Sequence, residues 1–182
     1  KNEATLEMTH IMAKIRFTEP TLIALTGHHF EACTENMKIK PYKLYLVEKG
    51  EVLSFKETST TSRVYLAIGG GFKLDSWLNS TSTDLNIGVG GFHGRTLQEG
   101  DEIEMKRDYT SRHRKLLENL AHQRTTSWGI DGYALSFNYV SDVFHVIANK
   151  GTNDFDTDIQ QTFIHGEYKV TNKSNRVGML LE

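Results

Sequence analysis

Cysteine occurs once in 182 residues, at Cys33, and proline occurs twice. A single thiol excludes an intrachain disulfide and a metal site built on several cysteines. Neither sign of charge dominates: 21 Lys and Arg stand against 23 Asp and Glu, a net of −2. That leaves no basic surplus to bind a phosphate backbone, so nucleic acid is not an expected partner. No apolar run approaches the roughly 20 residues of a membrane-spanning helix, so no membrane partner is expected.

The usual nucleotide signatures are missing too. There is no Gly-x-x-x-x-Gly-Lys-Ser/Thr loop. Gly88, Gly90, Gly91 and Gly94 do not fit the dinucleotide fingerprint, because His93 stands where its third glycine belongs. No Gly-x-Ser-x-Gly nucleophile elbow is present. No His-x-x-x-His or carboxylate–histidine spacing points to a metal, and none is expected. The adjacent His28 and His29 would point to opposite faces of a strand, a poor chelate. The chain carries no cofactor motif of its own, and any ATP is expected on a partner. No signal peptide opens the sequence, so the cytoplasm is the expected compartment.

What is present is mostly strand. Ile11, Ala13, Ile15 and Phe17 alternate up to Pro20, and Leu22–Thr26 runs into Gly27. Tyr42–Val47 alternates again. Gly50–Phe55 reads as a turn and a strand, and Gly100–Met105 has the same form. Short strands about ten residues apart predict a mainly β barrel or sandwich with few helices. Residues 1–105 form the first β-rich subdomain in this reading. Residues 106–124 read as a basic, partly helical linker: Leu116, Leu117 and Leu120 have helical spacing, with Thr110 or Ser111 as cap. Residues 125–182 form a second β-rich subdomain. It has strands at Tyr133–Tyr139, Val143–Ile147, Tyr168–Val170 and Val177–Leu181. Phe155, Ile159 and Phe163 predict a short helix over a core.

The central stretch runs from Ser62 to Asp101. An apolar strand (Val64, Leu66, Ile68) enters Gly69-Gly70-Gly71. A hydroxyl-rich loop follows, Ser80-Thr81-Ser82-Thr83-Asp84. Then comes Gly90-Gly91-Phe92-His93-Gly94-Arg95-Thr96-Leu97, and finally Gly100-Asp101. Glycine lets backbone approach a ligand closely, and glycine-loop amides can hold an oxyanion. Hydroxyls orient an amide, a carboxylate can act as a base, and an arginine fork fits a carboxylate. This kit suits a small amide or lactam bearing a carboxylate. The other reading is that Asp84 and Arg95 pair to lock the loops, Ser and Thr bond backbone groups, and His93 is structural.

In order and spacing these pieces resemble the family of biotin-dependent carboxyltransferases, allophanate hydrolase subunit 2 and the C component of 5-oxoprolinase. Three stretches carry the likeness: Gly69-Gly70, the Ser80–Asp84 loop, and Gly90-Gly91-x-x-Gly94-Arg95-x-Leu97-x-x-Gly100-Asp101. Asn79 stands where the family has glycine. An opening motif appears as Asn2–Glu7, and a closing one as Ser174-Asn175-Arg176-Val177-Gly178, with Asn175 and Val177 departing from the family's Asp and Met. Ala148-Asn149-Lys150 replaces the family's Pro-Gly-Pro. The resemblance implies a cyclophilin-like β-barrel. It implies Asp84 and Arg95 as catalytic groups. Substrate contacts would come from Gly69, Gly70, Ser80, Ser82, Thr83, Gly90, Gly91, Gly94 and Arg176.

The resemblance also implies a hetero-oligomer with a homologous subunit, active as an enzyme only in that complex. The expected activity is ATP-dependent hydrolysis of an amide or lactam, such as opening 5-oxoproline to glutamate. Two alternatives stay open. One is a non-catalytic regulatory partner of a histidine-kinase inhibitor-like subunit. The other is a carboxyltransferase passing carboxyl from carboxybiotin to urea or a related amide, the only case that needs biotin. The family's sequences continue on both sides of this stretch, so a piece of a longer protein is expected.

Overall fold

The computed structural model describes residues 3–9, 13–27, 30–56, 63–107, 109–131, 147, 149–174 and 178–182. The chain divides into two compact units, Lys1–Phe137 and Asn138–Glu182.

Among the described residues, the first unit is built from nine strands. They are β1 (Leu6–Thr9), β2 (Ile15–Arg16), β3 (Thr21–Gly27), β4 (Glu31–Cys33), β5 (Lys38–Ile39), β6 (Lys43–Val47), β7 (Val52–Lys56), β8 (Arg63–Ile68) and β9 (Thr125–Gly129). Five make one sheet in the order β1-β8-β3-β6-β9, and four make a second in the order β2-β7-β4-β5. Every pairing between these strands is antiparallel.

Alternation explains how the sheets meet. In β3, Ile23 and Leu25 point to one face and Leu22 to the other, as a period of two requires. Ile23, Leu25, Val47, Leu53, Val64 and Leu66 are all at most 1% exposed and share one core cluster. Both sheets contribute to that cluster, Ala32, Ile39 and Leu53 from the smaller one. Each such side chain taken from water contributes about 1.5–3 kcal/mol before entropy is charged against it.

The fold is therefore mainly β, as the strand spacing predicts. The two sheets remain open, however, and no closed barrel forms among the described residues. Gly100–Met105 also departs from expectation. Its regular pairing is one bridge, Phe72 to Met105, with no extended strand. Ile103 and Met105 still pack against the core, so the apolar alternation is used for packing without a ladder.

The basic segment expected as a linker is instead part of the first unit. It holds helix α1 (Ser111–Gln123). Thr110 is the cap, its Oγ1 accepting the His113 amide at 3.3 Å. Leu120 packs with Leu22 and Leu46 on the outer face of the larger sheet, with Leu116 and Leu117 beside it. Arg124 ends the helix in the left-handed region, φ 63°, its N–H bonded to Leu120 O. Strand β9 follows and pairs with β6, so residues 125–129 join the first unit rather than the second.

Glu51 fastens this corner. It is 7% exposed and lies in the turn between β6 and β7. Its carboxylate accepts from Thr34 Oγ1 at 3.2 Å, Asn36 Nδ2 at 2.8 Å, the Glu48 amide at 2.7 Å, and Arg124 Nη2. Burial pushes the Glu51 carboxyl up, but the Glu48 amide, the Asn36 amide and Arg124 together outweigh it and hold it below its ordinary value.

The second unit contains a 3-10 turn, Lys150–Asp154, with Asn149 and Thr152 forming a capping box. Helix α2 (Thr157–His165) follows. The expected short helix is present, but Phe155, Ile159 and Phe163 are each more than half exposed. Val170 and Leu181 form a single bridge where the sequence predicts two strands. The strands expected at Tyr133–Tyr139 and Val143–Ile147 lie almost wholly outside the described residues, as do Ile11, His28, His29 and Arg176.

Candidate functional site

The central loops fold against each other through glycine. Trp77 and Ser80 exchange backbone hydrogen bonds at 2.8 and 2.9 Å, closing a two-residue turn. Leu78 and Asn79 both have positive φ there, 48° and 63°, as a type I′ turn demands. This accounts for Asn79, a residue that tolerates the left-handed region, where the family has glycine.

The next turn is set by Asp84. Its carbonyl accepts the Gly88 and Val89 amides at 2.9 and 3.2 Å. Its Oδ1 accepts the Asn86 and Ile87 amides at 2.9 and 3.4 Å. Half of the carboxylate is thus spent on the loop, and Oδ2 has no hydrogen bond among the described residues. Ser80 is also used locally, its Oγ accepting the Ser82 amide at 3.2 Å. The hydroxyls of Ser82 and Thr83 make no hydrogen bond among the described residues, and both residues are exposed.

The glycine loop packs under these hydroxyls. A Cβ on Gly91 would stand 2.0 Å from Thr83 Oγ1, and one on Gly94 would stand 1.9 Å from the Gly88 carbonyl. Both have positive φ, 56° and 65°. Gly90 approaches the Ser82 carbonyl in the same way. These glycines serve loop-on-loop contact. The amide of Gly94, one of the glycines expected to meet a substrate, is spent on a turn to Gly90 O, as the Gly88 amide is on Asp84 O.

Arg95 has a partner, and it is Asp101. Nη1 and Nη2 donate to the two carboxylate oxygens at 2.7 and 2.8 Å, and Nη1 also donates to Thr96 O at 2.9 Å. The guanidinium sits 5.2 Å over the Phe92 ring, and Phe92 meets His93 edge-on. Asp101 Oδ2 accepts the Gln98 amide as well, at 2.7 Å. The hydrogen bonds from Arg95, and then from the Gln98 amide, hold the Asp101 carboxyl at about 2. The same bond raises Arg95.

Two expectations change here. The lock envisaged between Asp84 and Arg95 is made by Asp101 and Arg95. And the fork expected to meet a ligand's carboxylate meets one from its own chain. Asp101 closes the motif, yet the sequence pattern does not single it out as a site residue. The acid six residues after the arginine, behind a glycine, is the signal that could have found it.

Gly69 and Gly70 occupy a different neighbourhood from the Ser80–Arg95 loops. Gly69 N–H bonds Leu22 O at 2.7 Å. Gly70 lies against the Lys106 carbonyl and the Tyr109 ring, and Gly69 against Leu22 and His113. Together they turn β8 toward the approach to α1. The structure thus brings Ser80, Ser82, Thr83, Asp84, Gly90, Gly91 and Gly94 into one loop module, with Arg95 bracing it. Trp77, Leu78, Leu85 and Ile87, all more than half exposed, belong to the same loops.

Residues 1–182 match a family described as carboxyltransferase domain, subdomain A and B. The chain belongs to that family. Among curated relatives, it is 27% identical over 184 residues to the C component of 5-oxoprolinase from Escherichia coli strain K12, covering 100% of this chain and 53% of that protein. It is 32% identical over 127 residues to a putative urea carboxylase of Emericella nidulans, covering 68% of this chain and 10% of that protein. The crystal structure of the K. lactis urea amidolyase superposes with a TM-score of 0.68 at 23% identity, over 99% of this chain and 11% of that one. This last likeness is one of fold. The chain spans about half of the Escherichia coli relative and a tenth of the Emericella one.

Proposed function

We propose that the chain is part of a subunit of an amide-processing complex of the 5-oxoprolinase type. In that complex it would present the Ser80–Asp101 module to a small amide or lactam that carries a carboxylate. The observation that supports it most is the alignment with the C component of a 5-oxoprolinase along the whole of this chain.

The geometry suggests how the work would be divided. Ser82 Oγ, Thr83 Oγ1 and Asp84 Oδ2 are among the polar groups of the module left without a hydrogen bond among the described residues, and they lie side by side in one loop. The hydroxyls would orient the amide, and Asp84 would take or hold a proton. Arg95 would act as a positioning residue, holding the Gly90–Gly94 loop through Asp101. The exposed apolar side chains of Trp77, Leu85 and Ile87 would be covered by a homologous subunit. ATP would bind outside this chain's own motifs.

The test mixes the full-length protein with its sister subunits and supplies 5-oxoproline and ATP. Glutamate release is expected from the mixture and from no subunit alone. Turnover by this protein in isolation would sink the reading. A second reading, carboxyl transfer to urea, draws support from the 32% identity to a putative urea carboxylase. It requires urea-dependent loss of carboxyl from carboxybiotin. If neither reaction runs with partners present, a regulatory role takes their place.

A further inference from the structure

The open seam between the two sheets has a chemistry that the loop module does not use. β5 is the edge of the smaller sheet and β9 the edge of the larger. Between them lies a cleft of about 450 Å³, within the usual range for small-molecule sites. Lys38, Lys40 and Lys43 line it. The sequence Lys38-Ile39-Lys40 explains two of them: Ile39 is buried in the core, so its neighbours turn outward. Lys43 opens β6 opposite Gly129 of β9, across the tight bend at Tyr42, whose φ is 62°.

No carboxylate lines the cleft, and none of the three lysines has an ion pair within 4 Å among the described residues. Lys38 feels Glu31, but that carboxylate is bonded to Lys56 at 3.0 Å. Arg124 forms part of the opposite wall, yet its guanidinium is held by Leu46 O and Glu51. Its position also covers the negative end of α1. The free charge in the cleft is thus three ammonium groups and no guanidinium fork. Ammonium point charges suit a phosphate group better than they suit planar, bidentate carboxylate recognition. The floor is fixed: Tyr45 is buried, and its Oη accepts the Lys40 amide at 2.9 Å. The Tyr45 ring and Met37 give an apolar surface, and Gln123 an amide, to whatever carries the phosphate.

We propose that this seam is a binding site for a small phosphorylated molecule, distinct from the Ser80–Asp101 module. The probe is inorganic pyrophosphate, titrated into the full chain and followed by amide chemical shifts, with succinate as the dicarboxylate comparison. Saturable shifts are expected at residues 36–45 and 123–125, with a Kd below about 1 mM that weakens as salt rises. The double variant Lys40→Ala/Lys43→Ala should lose at least about fivefold in affinity at an unchanged melting temperature. The control Lys14→Ala/Lys115→Ala removes equal charge from exposed positions away from the cleft and should bind normally. Shifts that never saturate would overturn the proposal and leave the lysines as guards of two sheet edges. Equal binding of succinate, or an equal loss in the control variant, would overturn it too.

Discussion

At the scale of single residues, Arg95 and Asp101 decide how the motif loops are held. A bidentate pair with an added backbone amide is a geometric fit that lysine cannot copy. Arg95→Lys and Asp101→Asn are therefore both expected to loosen residues 90–101. Faster amide exchange there, and a lower melting temperature in both variants, are the expected readings. An unaltered loop in Arg95→Lys would show that charge alone suffices. The pair also predicts a pH dependence. The Asp101 carboxyl sits at about 2 in the fold against an ordinary 3.8. A depressed acid contributes stability above its unfolded pKa and loses it as pH falls through the folded one. The loop should stay ordered down to about pH 4 and loosen between there and about pH 2. In Asp101→Asn that part of the acid response should vanish.

At the scale of elements, the glycine loop is a packing element as much as a ligand cradle. Gly94 combines a φ of 65° with a carbonyl 1.9 Å from where a Cβ would be. Gly94→Ala therefore faces a left-handed penalty of about 1–2 kcal/mol, with the clash added to it. The expected result is local rather than global. Exchange protection should fall across residues 82–94, while the strands, which do not depend on this contact, keep theirs. Uniform loss of protection through β3 and β8 would mean that the loops are part of the folding core.

At the scale of the whole first unit, Glu51 joins parts far apart in sequence. It gathers the β4–β5 turn through Thr34 and Asn36, the β6–β7 turn through Glu48, and the end of α1 through Arg124. Glu51→Gln removes the charge and leaves a half-buried guanidinium uncompensated. The expected cost is about 2–3 kcal/mol, or a melting temperature lower by roughly 5–10 °C. Thermal melts near neutral pH check this. A shift of less than about 2 °C would mean that solvent replaces the carboxylate and that the corner is held by packing alone. The same corner forms one wall of the lysine-lined seam, so Glu51→Gln, which removes a negative charge and frees the Arg124 guanidinium, should strengthen pyrophosphate binding.

Local pattern alone determined a good deal of this protein. The alternation in Leu22–Thr26, Tyr42–Val47 and Val64–Ile68 marks strands because side chains on a pleat have a period of two. Thr110 with Leu116, Leu117 and Leu120 marks a capped helix because those residues share one face. The glycines of 90–94 announce backbone contact, since no other residue allows it. Pairing is another matter, because a partner is chosen by distance in space, which no local period encodes. The alternation of Gly100–Met105 could not say that its ladder would shrink to a single bridge, to Phe72. Helical spacing could not say whether 106–124 would bridge two units or lie on Leu22 and Leu46. Arg95 had two acids within reach of a plausible loop, and only the folded turns put Asp101 rather than Asp84 against it. Sheet closure likewise depends on whether two edges meet. Here β5 and β9 do not pair, and only the tertiary structure could show the lysines of 38–43 gathered at the gap between them.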